Sequence, residues 1–216
     1  MSLQSCQMGA ASQLNCRLMQ SKSCVVAIAG GSASGKTTLT RTLKQFLEQG
    51  PNVLRVEMLN VDAFYHADRT LGPHFVSPTL GEQHFNFNHP DALDQQKLLA
   101  SINSRSTAED APQILLVEGL MVLHLPQVRE LADVRVFVEL EADVRALRRV
   151  LRDMKGGRGN VDPNWIATYY LESARVGHEL FVEPSRIHAD FIIRGDADSS
   201  RIIPLLAAAI TAATPA

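Results

Sequence analysis

Nine consecutive residues, Gly30, Gly31, Ser32, Ala33, Ser34, Gly35, Lys36, Thr37 and Thr38, carry the most specific chemistry in the chain. Gly30-x4-Gly35-Lys36-Thr37 is a Walker A pattern. Its glycines allow the backbone to curl until consecutive N–H groups point inward at a bound phosphate chain. The helix predicted to follow adds the positive end of its dipole. Lys36 is spaced to reach the β- and γ-phosphates, and the Thr37 hydroxyl to ligate Mg²⁺. The ligand implied is ATP or a close relative.

Two carboxylates stand where they could act on such a ligand. Asp62 ends one predicted strand and Glu118 another. Ligands of an open parallel sheet bind outside the carboxyl ends of its strands, so both acids should face the phosphate loop. Phosphoryl transfer to a hydroxyl needs Mg²⁺ near the phosphates and an acceptor for the hydroxyl proton. Asp62 suits the proton acceptor and Glu118 a metal ligand acting through water; as plain strand-end carboxylates they would only cap turns. Farther on, Arg145, Arg148, Arg149 and Arg152 share one helix face, with Val144, Leu147 and Leu151 packing on another. An arginine stripe by itself is a solvated surface. This one runs into a glycine-rich break, Gly156 to Asn160, bearing Arg158, which could fold over a transferred phosphate. Arg152 and Arg158 are therefore read as functional, Arg149 as a candidate, and Arg145 and Arg148 as solvated.

The elements that must hold these residues alternate. Cys24 to Ala29 is a continuous apolar run, the mark of a strand buried on both faces. A helix with Leu39, Leu43, Phe46 and Leu47 on one side follows the loop and ends at Gly50-Pro51. Val53 to Val61 reads as the second strand, and residues 63–90 as a long irregular segment holding His66, His74, His84 and His89, lip or plain loop histidines rather than a metal cluster. A helix over 91–102, strands over 114–119 and 134–140, helices over 142–155 and 162–182, a strand over 191–193 and a last helix from Ser199 complete the pattern. Strands alternating with helices predict an α/β fold with a parallel sheet covered on both faces.

The chain has 216 residues, 45% apolar and 20% charged, with net charge −2. It reads as a 1–22 tail and a 23–216 domain with a lid over about 153–165. Near-neutral charge gives no reason to expect nucleic acid or an anionic membrane as partner. Three cysteines without CxxC spacing suit a reducing cytoplasm. No NKxD or LSGGQ-type sequence occurs and no DxxG follows the second or third strand, which favours a small-molecule kinase over GTPases and transport ATPases.

Together these segments resemble the uridine kinase–phosphoribulokinase group of P-loop kinases, and most closely its uridine–cytidine kinase branch. The matching stretches are GGSASGKTT at 30–38, DAFY at 62–65, FNFNHPDALD at 85–94, LVEGL at 116–120, DVRALRRVLRD at 143–153 and HELFVEPSRIHADFII at 178–193. The resemblance implies a three-layer P-loop fold with a five-stranded parallel core and a small helical lid. It implies Mg²⁺ and ATP as cofactor and donor, and a hydroxymethyl group of a nucleoside-like small molecule as acceptor. It carries the base role onto Asp62, metal contact onto Thr37 and Glu118, phosphate contact onto Lys36 and Arg152, and acceptor contact onto Tyr65, Phe87 and Asn88. Arg149 and Tyr169 are further acceptor-side candidates.

Three departures bear on the acceptor. Asn88 stands where uridine kinases have an aspartate gripping the ribose hydroxyls. Asn103 to Gln113 is short, polar and without aromatics where the family has a base-binding hairpin. Tyr169 replaces a glutamine of the lid-side helix. A non-pyrimidine acceptor such as nicotinamide riboside or pantothenate thus stays open, as do a GTP-using enzyme, a nucleotide-binding regulatory module without transfer, and a homo-oligomer.

Overall fold

The computed structural model describes residues 23–50, 53–156 and 159–215. Its strands and principal helices are, in chain order, β1 (Cys24–Gly30), α1 (Lys36–Gln49), β2 (Val56–Asn60), β3 (His74–Val76), β4 (Gln83–Phe85), α2 (Gln95–Thr107), β5 (Ile114–Glu118), α3 (Pro126–Leu131), β6 (Val134–Glu139), α4 (Ala142–Asp153), α5 (Pro163–Tyr169), β7 (Phe191–Arg194) and α6 (Ser199–Ala213). Five strands form one sheet in the order β2-β5-β1-β6-β7, and every pairing is parallel. The expected tail over 1–22 and Arg158 lie outside the described residues.

The apolar run in β1 exists because the strand is central and covered on both sides. Cys24 through Ala29 are fully buried. Val25, Ala27 and Ala29 pack into one core with Leu98 and Ile102 of α2 and Val128 of α3. Cys24, Val26 and Ile28 pack into the other with Leu43 and Leu47 of α1 and Leu206 and Ile210 of α6. Alternate side chains thus feed opposite layers, and the result is a three-layer α/β fold. Among the described residues no helix is long and apolar enough to cross a membrane.

Several boundaries differ from those the sequence predicts. β2 begins at Val56, because Val53 precedes the edge strand and is largely exposed. Phe46, at the margin of the α1 apolar stripe, is 40% exposed rather than buried. The helix expected from residue 91 starts at Gln95, after a 3-10 turn over Pro90–Ala92, and runs on to Thr107. Residues 63–90 are not structureless: β3 and β4 pair there as an antiparallel hairpin. The short α3 has no counterpart in the sequence expectation.

The helix expected over 162–182 is a composite. Asp162 caps α5, accepting from the N–H groups of Asn164 and Trp165. The run then passes through π turns at Tyr170–Ala174 and His178–Val182, separated by Arg175–Gly177, and finishes as a 3-10 segment, Glu183–His188. π turns concentrate where a helix must re-aim its side chains. Between them, a Cβ on Gly177 would fall 2.2 Å from the Asn88 carbonyl oxygen, so the helix presses backbone to backbone on the segment that carries Asn88.

His178 sits in this run with only 12% of its side chain exposed. Burial, aided by the charge of Arg145, pushes its imidazole down to about 4. Glu183 Oε2, 3.3 Å from Nε2, pulls the other way, but that carboxylate is half exposed and screened by water. The folded state therefore holds a neutral imidazole, while the unfolded chain takes up a proton near pH 6.5. The associated stability is present above 6.5 and is lost as pH falls from there toward 4, by up to roughly 3 kcal/mol. Thermal unfolding followed between pH 7 and 4.5 should show that loss, and His178→Gln should flatten it.

Candidate active site

A cavity of about 950 Å³ opens at the carboxyl ends of β1, β2 and β5, beneath α4 and α5. Its floor is the loop between β1 and α1. Gly35, at φ +102°, occupies the left-handed region that favours glycine and turns the chain directly into α1. The loop is packed from two sides. A Cβ on Gly195, just after β7, would fall 1.7 Å from the Ser34 carbonyl oxygen. A Cβ on Gly31 would fall 2.7 Å from Arg145 Nη1. Arg145 is only 5% exposed and donates through Nε to the Leu140 carbonyl at 3.0 Å. This arginine, expected in solvent, is a buried brace behind the loop.

Ser32, Ala33, Lys36, Thr37 and Thr38 line the cavity together with Asp62 and Glu118. Asp62 lies in a 3-10 turn, Val61–Phe64, that begins where β2 ends; Asn60 Oδ1 accepts from its N–H at 2.8 Å and fixes the turn. Glu118 is the last residue of β5. Register with β1 sets it opposite Ile28, two residues before the loop, and the Gly119 N–H donates to the Ile28 carbonyl at 3.1 Å. The carboxylate is 2% exposed and accepts from Thr37 Oγ1 at 3.1 Å. A hydroxyl and a buried carboxylate, both hard oxygen donors, side by side at the mouth of a phosphate loop fit Mg²⁺, which takes one or two protein oxygens and completes its shell with phosphates and water.

α4 is turned over relative to expectation. Leu147 and Leu151 are 66% and 63% exposed, whereas Arg148, Arg149 and Arg152 line the cavity. The helix lies over the polar cleft and not on the apolar sheet, so its arginine face is the one it applies to the protein. Asp153, 6% exposed, organises that face. It accepts from Arg152 Nε at 2.7 Å and lies 3.4 Å from Arg149 Nε. Each guanidinium is thereby held by its inner nitrogen, and Arg152 Nη2 is buried with no hydrogen-bond partner among the described residues. The Arg149 guanidinium also lies 5.5 Å from the centre of the Tyr169 ring.

Aromatic residues close the far side. Tyr65 donates to the Phe87 carbonyl at 2.9 Å, and the two rings meet edge to face at 5.1 Å. Tyr169 stacks on Trp165 at 5.2 Å and donates to the Phe85 carbonyl at 3.2 Å. Burial raises its phenol above the usual range, so the hydroxyl stays protonated and donating. Asn88 lines the cavity but is 5% exposed and gives its amide hydrogen to Ser173 Oγ at 2.9 Å. One of its two amide hydrogens is thus committed to the helical run.

Several neighbours escaped the sequence reading. Trp165 and Arg69 line the cavity, and Phe75 packs its ring against Tyr169; His84, read from the sequence as a lip or loop histidine, packs against Trp165. The residues between α2 and β5 form no hairpin; the hairpin of this chain, β3–β4, precedes the FNF segment instead. It is fastened to the helical run by Glu172, which accepts from Ser77 Oγ, Thr79 Oγ1 and the Thr79 N–H. Asp153 was the most accessible of these omissions, since its i, i+4 relation to Arg149 is readable directly.

Known proteins resemble the chain on several scales. The family model for the phosphoribulokinase / uridine kinase family matches residues 86–199. A uridine kinase of Chlamydia pneumoniae is 32% identical over 196 residues, covering 80% of this chain and 82% of the relative. Uridine kinase-like protein 4 of Arabidopsis thaliana is 31% identical over 204 residues, covering 84% of this chain and 40% of that longer protein. Among solved structures, a protein of Silicibacter sp. TM1040 described as a fructose transport system kinase superposes with a TM-score of 0.60. It is 18% identical and the match covers 86% of this chain and 98% of that one, a likeness of fold alone.

If Asp153 holds the two arginines, Asp153→Asn should weaken ATP binding roughly tenfold, the cost of losing a charge-assisted contact. Titration calorimetry measures this directly, with Asp153→Glu expected to recover part of the loss and circular dichroism to remain unchanged.

Proposed function

This chain belongs to the phosphoribulokinase / uridine kinase family and is an ATP-dependent small-molecule kinase of the uridine-kinase type, and we propose that it phosphorylates a hydroxymethyl group of a nucleoside-like acceptor with Asp62 as the general base. The observation that carries this reading is one cavity lined by Ser32, Ala33 and Gly35 to Thr38 of the Walker A segment, by Asp62 and Glu118, and by Arg148, Arg149 and Arg152 of α4.

In the proposed reaction the loop amides and Lys36 hold the β- and γ-phosphates. Thr37 and Glu118 would hold Mg²⁺, which would supply positive charge to offset that of the donor phosphates. Asp62 accepts the proton of the acceptor hydroxyl as its oxygen forms a bond to the γ-phosphorus. The bond from that phosphorus to the β-bridging oxygen breaks, and ADP leaves. Arg149 and Arg152, with Arg158 from the glycine-rich break, stabilise the charge of the transferring group. Cations in such positions contribute on the order of 10³–10⁵ in rate in comparable systems. Gly156 and Gly159, at φ +86° and +96° with open space around them, support a hinged lid over about 153–165 within a 23–216 kinase domain. Tyr65 and Phe87 form one wall of the acceptor subsite, with Tyr169 and Asn88 behind it.

The engagement of Asn88 with Ser173 favours a second reading at the acceptor end. A buried amide that has already given one of its two hydrogens, and that lacks a carboxylate's charge, grips a ribose diol less strongly than an aspartate would. A non-pyrimidine acceptor such as nicotinamide riboside or pantothenate is therefore a reading the site supports beside uridine and cytidine.

ADP release measured across uridine, cytidine, nicotinamide riboside and pantothenate tests the proposal. At least one should stimulate turnover well above background hydrolysis; none doing so, with ATP still bound, would favour a regulatory nucleotide-binding module. Asp62→Asn should lower kcat by roughly 10²–10⁴ while leaving ATP affinity within a few-fold. Full activity in that variant would remove Asp62 as the base.

A further inference from the structure

The acceptor end of the cavity carries a cation that the reaction as outlined does not use. Arg69 lies in a short 3-10 turn, Arg69–Leu71, four residues after Tyr65 in the chain, and lines the same cavity as Asp62. Its guanidinium carbon is 4.8 Å from the centres of both the Phe85 and Phe87 rings. Nη1 donates to the His66 carbonyl at 2.7 Å. Two rings and one carbonyl thus hold the head group in place while leaving most of its five N–H donors unused.

No carboxylate among the described residues forms an ion pair with Arg69. Asp68, its chain neighbour, is taken by Thr70, whose N–H and hydroxyl both donate to Asp68 Oδ1. Of the other acids on the cavity wall, Asp153 is held by arginines and Glu118 by Thr37, while Asp62 has the acceptor hydroxyl to serve in the reaction outlined above. The residue that could have added a negative charge beside the acceptor, position 88, is an amide. Stacking alone holds an arginine only weakly at an exposed site and would not require it to face the cleft. The path between the two ends is continuous, because Tyr65 is three residues from Asp62 and its ring meets Phe87, whose face carries Arg69.

We propose that the natural acceptor bears an anionic group, a carboxylate or a phosphate monoester, and that Arg69 receives it while the hydroxymethyl group lies at Asp62. This deepens the phosphotransferase reading and rests on it. A planar guanidinium held on two aromatic faces presents its remaining N–H pairs to a carboxylate or phosphate as a fork. Arg69 is thereby a specificity-determining residue.

Matched acceptor pairs test this: orotidine against uridine, pantothenate against pantothenol, and glycerol 3-phosphate against glycerol. Binding of each is measured by calorimetry to the full chain loaded with a non-hydrolysable ATP analogue and Mg²⁺, and turnover is measured in parallel with ATP. The anionic member of at least one pair should bind roughly 10- to 100-fold more tightly than its neutral partner, as a charge-assisted bond implies. Arg69→Gln should abolish that preference and Arg69→Lys restore part of it. The carboxylate and phosphate pairs report separately which anion is preferred. Neutral members binding as well as or better than charged ones would overturn the proposal, and so would a preference that survives Arg69→Gln. An Arg69-dependent preference in binding without turnover of any acceptor would sustain the anion site and overturn only the kinase reading.

Discussion

The pairing of β1 with β5 is the constraint from which the site follows. Its register sets Ile28 opposite Glu118, so a strand-end carboxylate emerges beside the first residues of the phosphate loop. The hydrogen bond from the Gly119 N–H to the Ile28 carbonyl and the one from Thr37 to Glu118 close that junction on both sides. A slip of one residue would turn Glu118 to the opposite face of the sheet, since side chains alternate. Parallel register is strongly specified here because both faces of β1 are buried: every misalignment would drive apolar side chains out of one core or the other. The two hydrophobic layers therefore do more than stabilise; they hold the relative position of a hydroxyl and a carboxylate to within hydrogen-bonding distance.

Around that junction the molecule spends buried polar groups on aim. Arg145 braces the loop from behind, and Asp153 gathers Arg149 and Arg152 from the side. Desolvating such charges is costly unless they are paired and hydrogen-bonded. That cost is tolerated where the pairing fixes a direction, and both arrangements direct guanidinium groups at the cleft or at the loop that forms it.

The fold was legible in the sequence because its signals are local: an apolar strand, a glycine loop, an amphipathic helix, strands alternating with helices. The donor side of the site was legible for the same reason, since Gly30 to Thr38 and the strand-end acids are read by spacing. What escaped depends on which neighbour a face meets. The arginine stripe of α4 has the periodicity of a solvent face, and only the cleft beneath it makes that face the inner one; Leu147 and Leu151 are exposed in consequence. The β3–β4 hairpin was hidden by brevity, as three-residue strands carry almost no periodicity. The commitment of Asn88 to Ser173 joins residues 85 positions apart and has no local signature. Arg158, singled out in the sequence, lies outside the described residues.

The fastening of the hairpin by Glu172 has a mechanical consequence. Ser77 and Thr79 are tied to the helical run, Tyr169 is tied to the Phe85 carbonyl, and Asn88 to Ser173, so four anchor points join the same two bodies. The wall that meets the acceptor and the helix that carries Trp165 and Tyr169 cannot swing independently. They form a single body, and a load applied at either end of it is felt at the other.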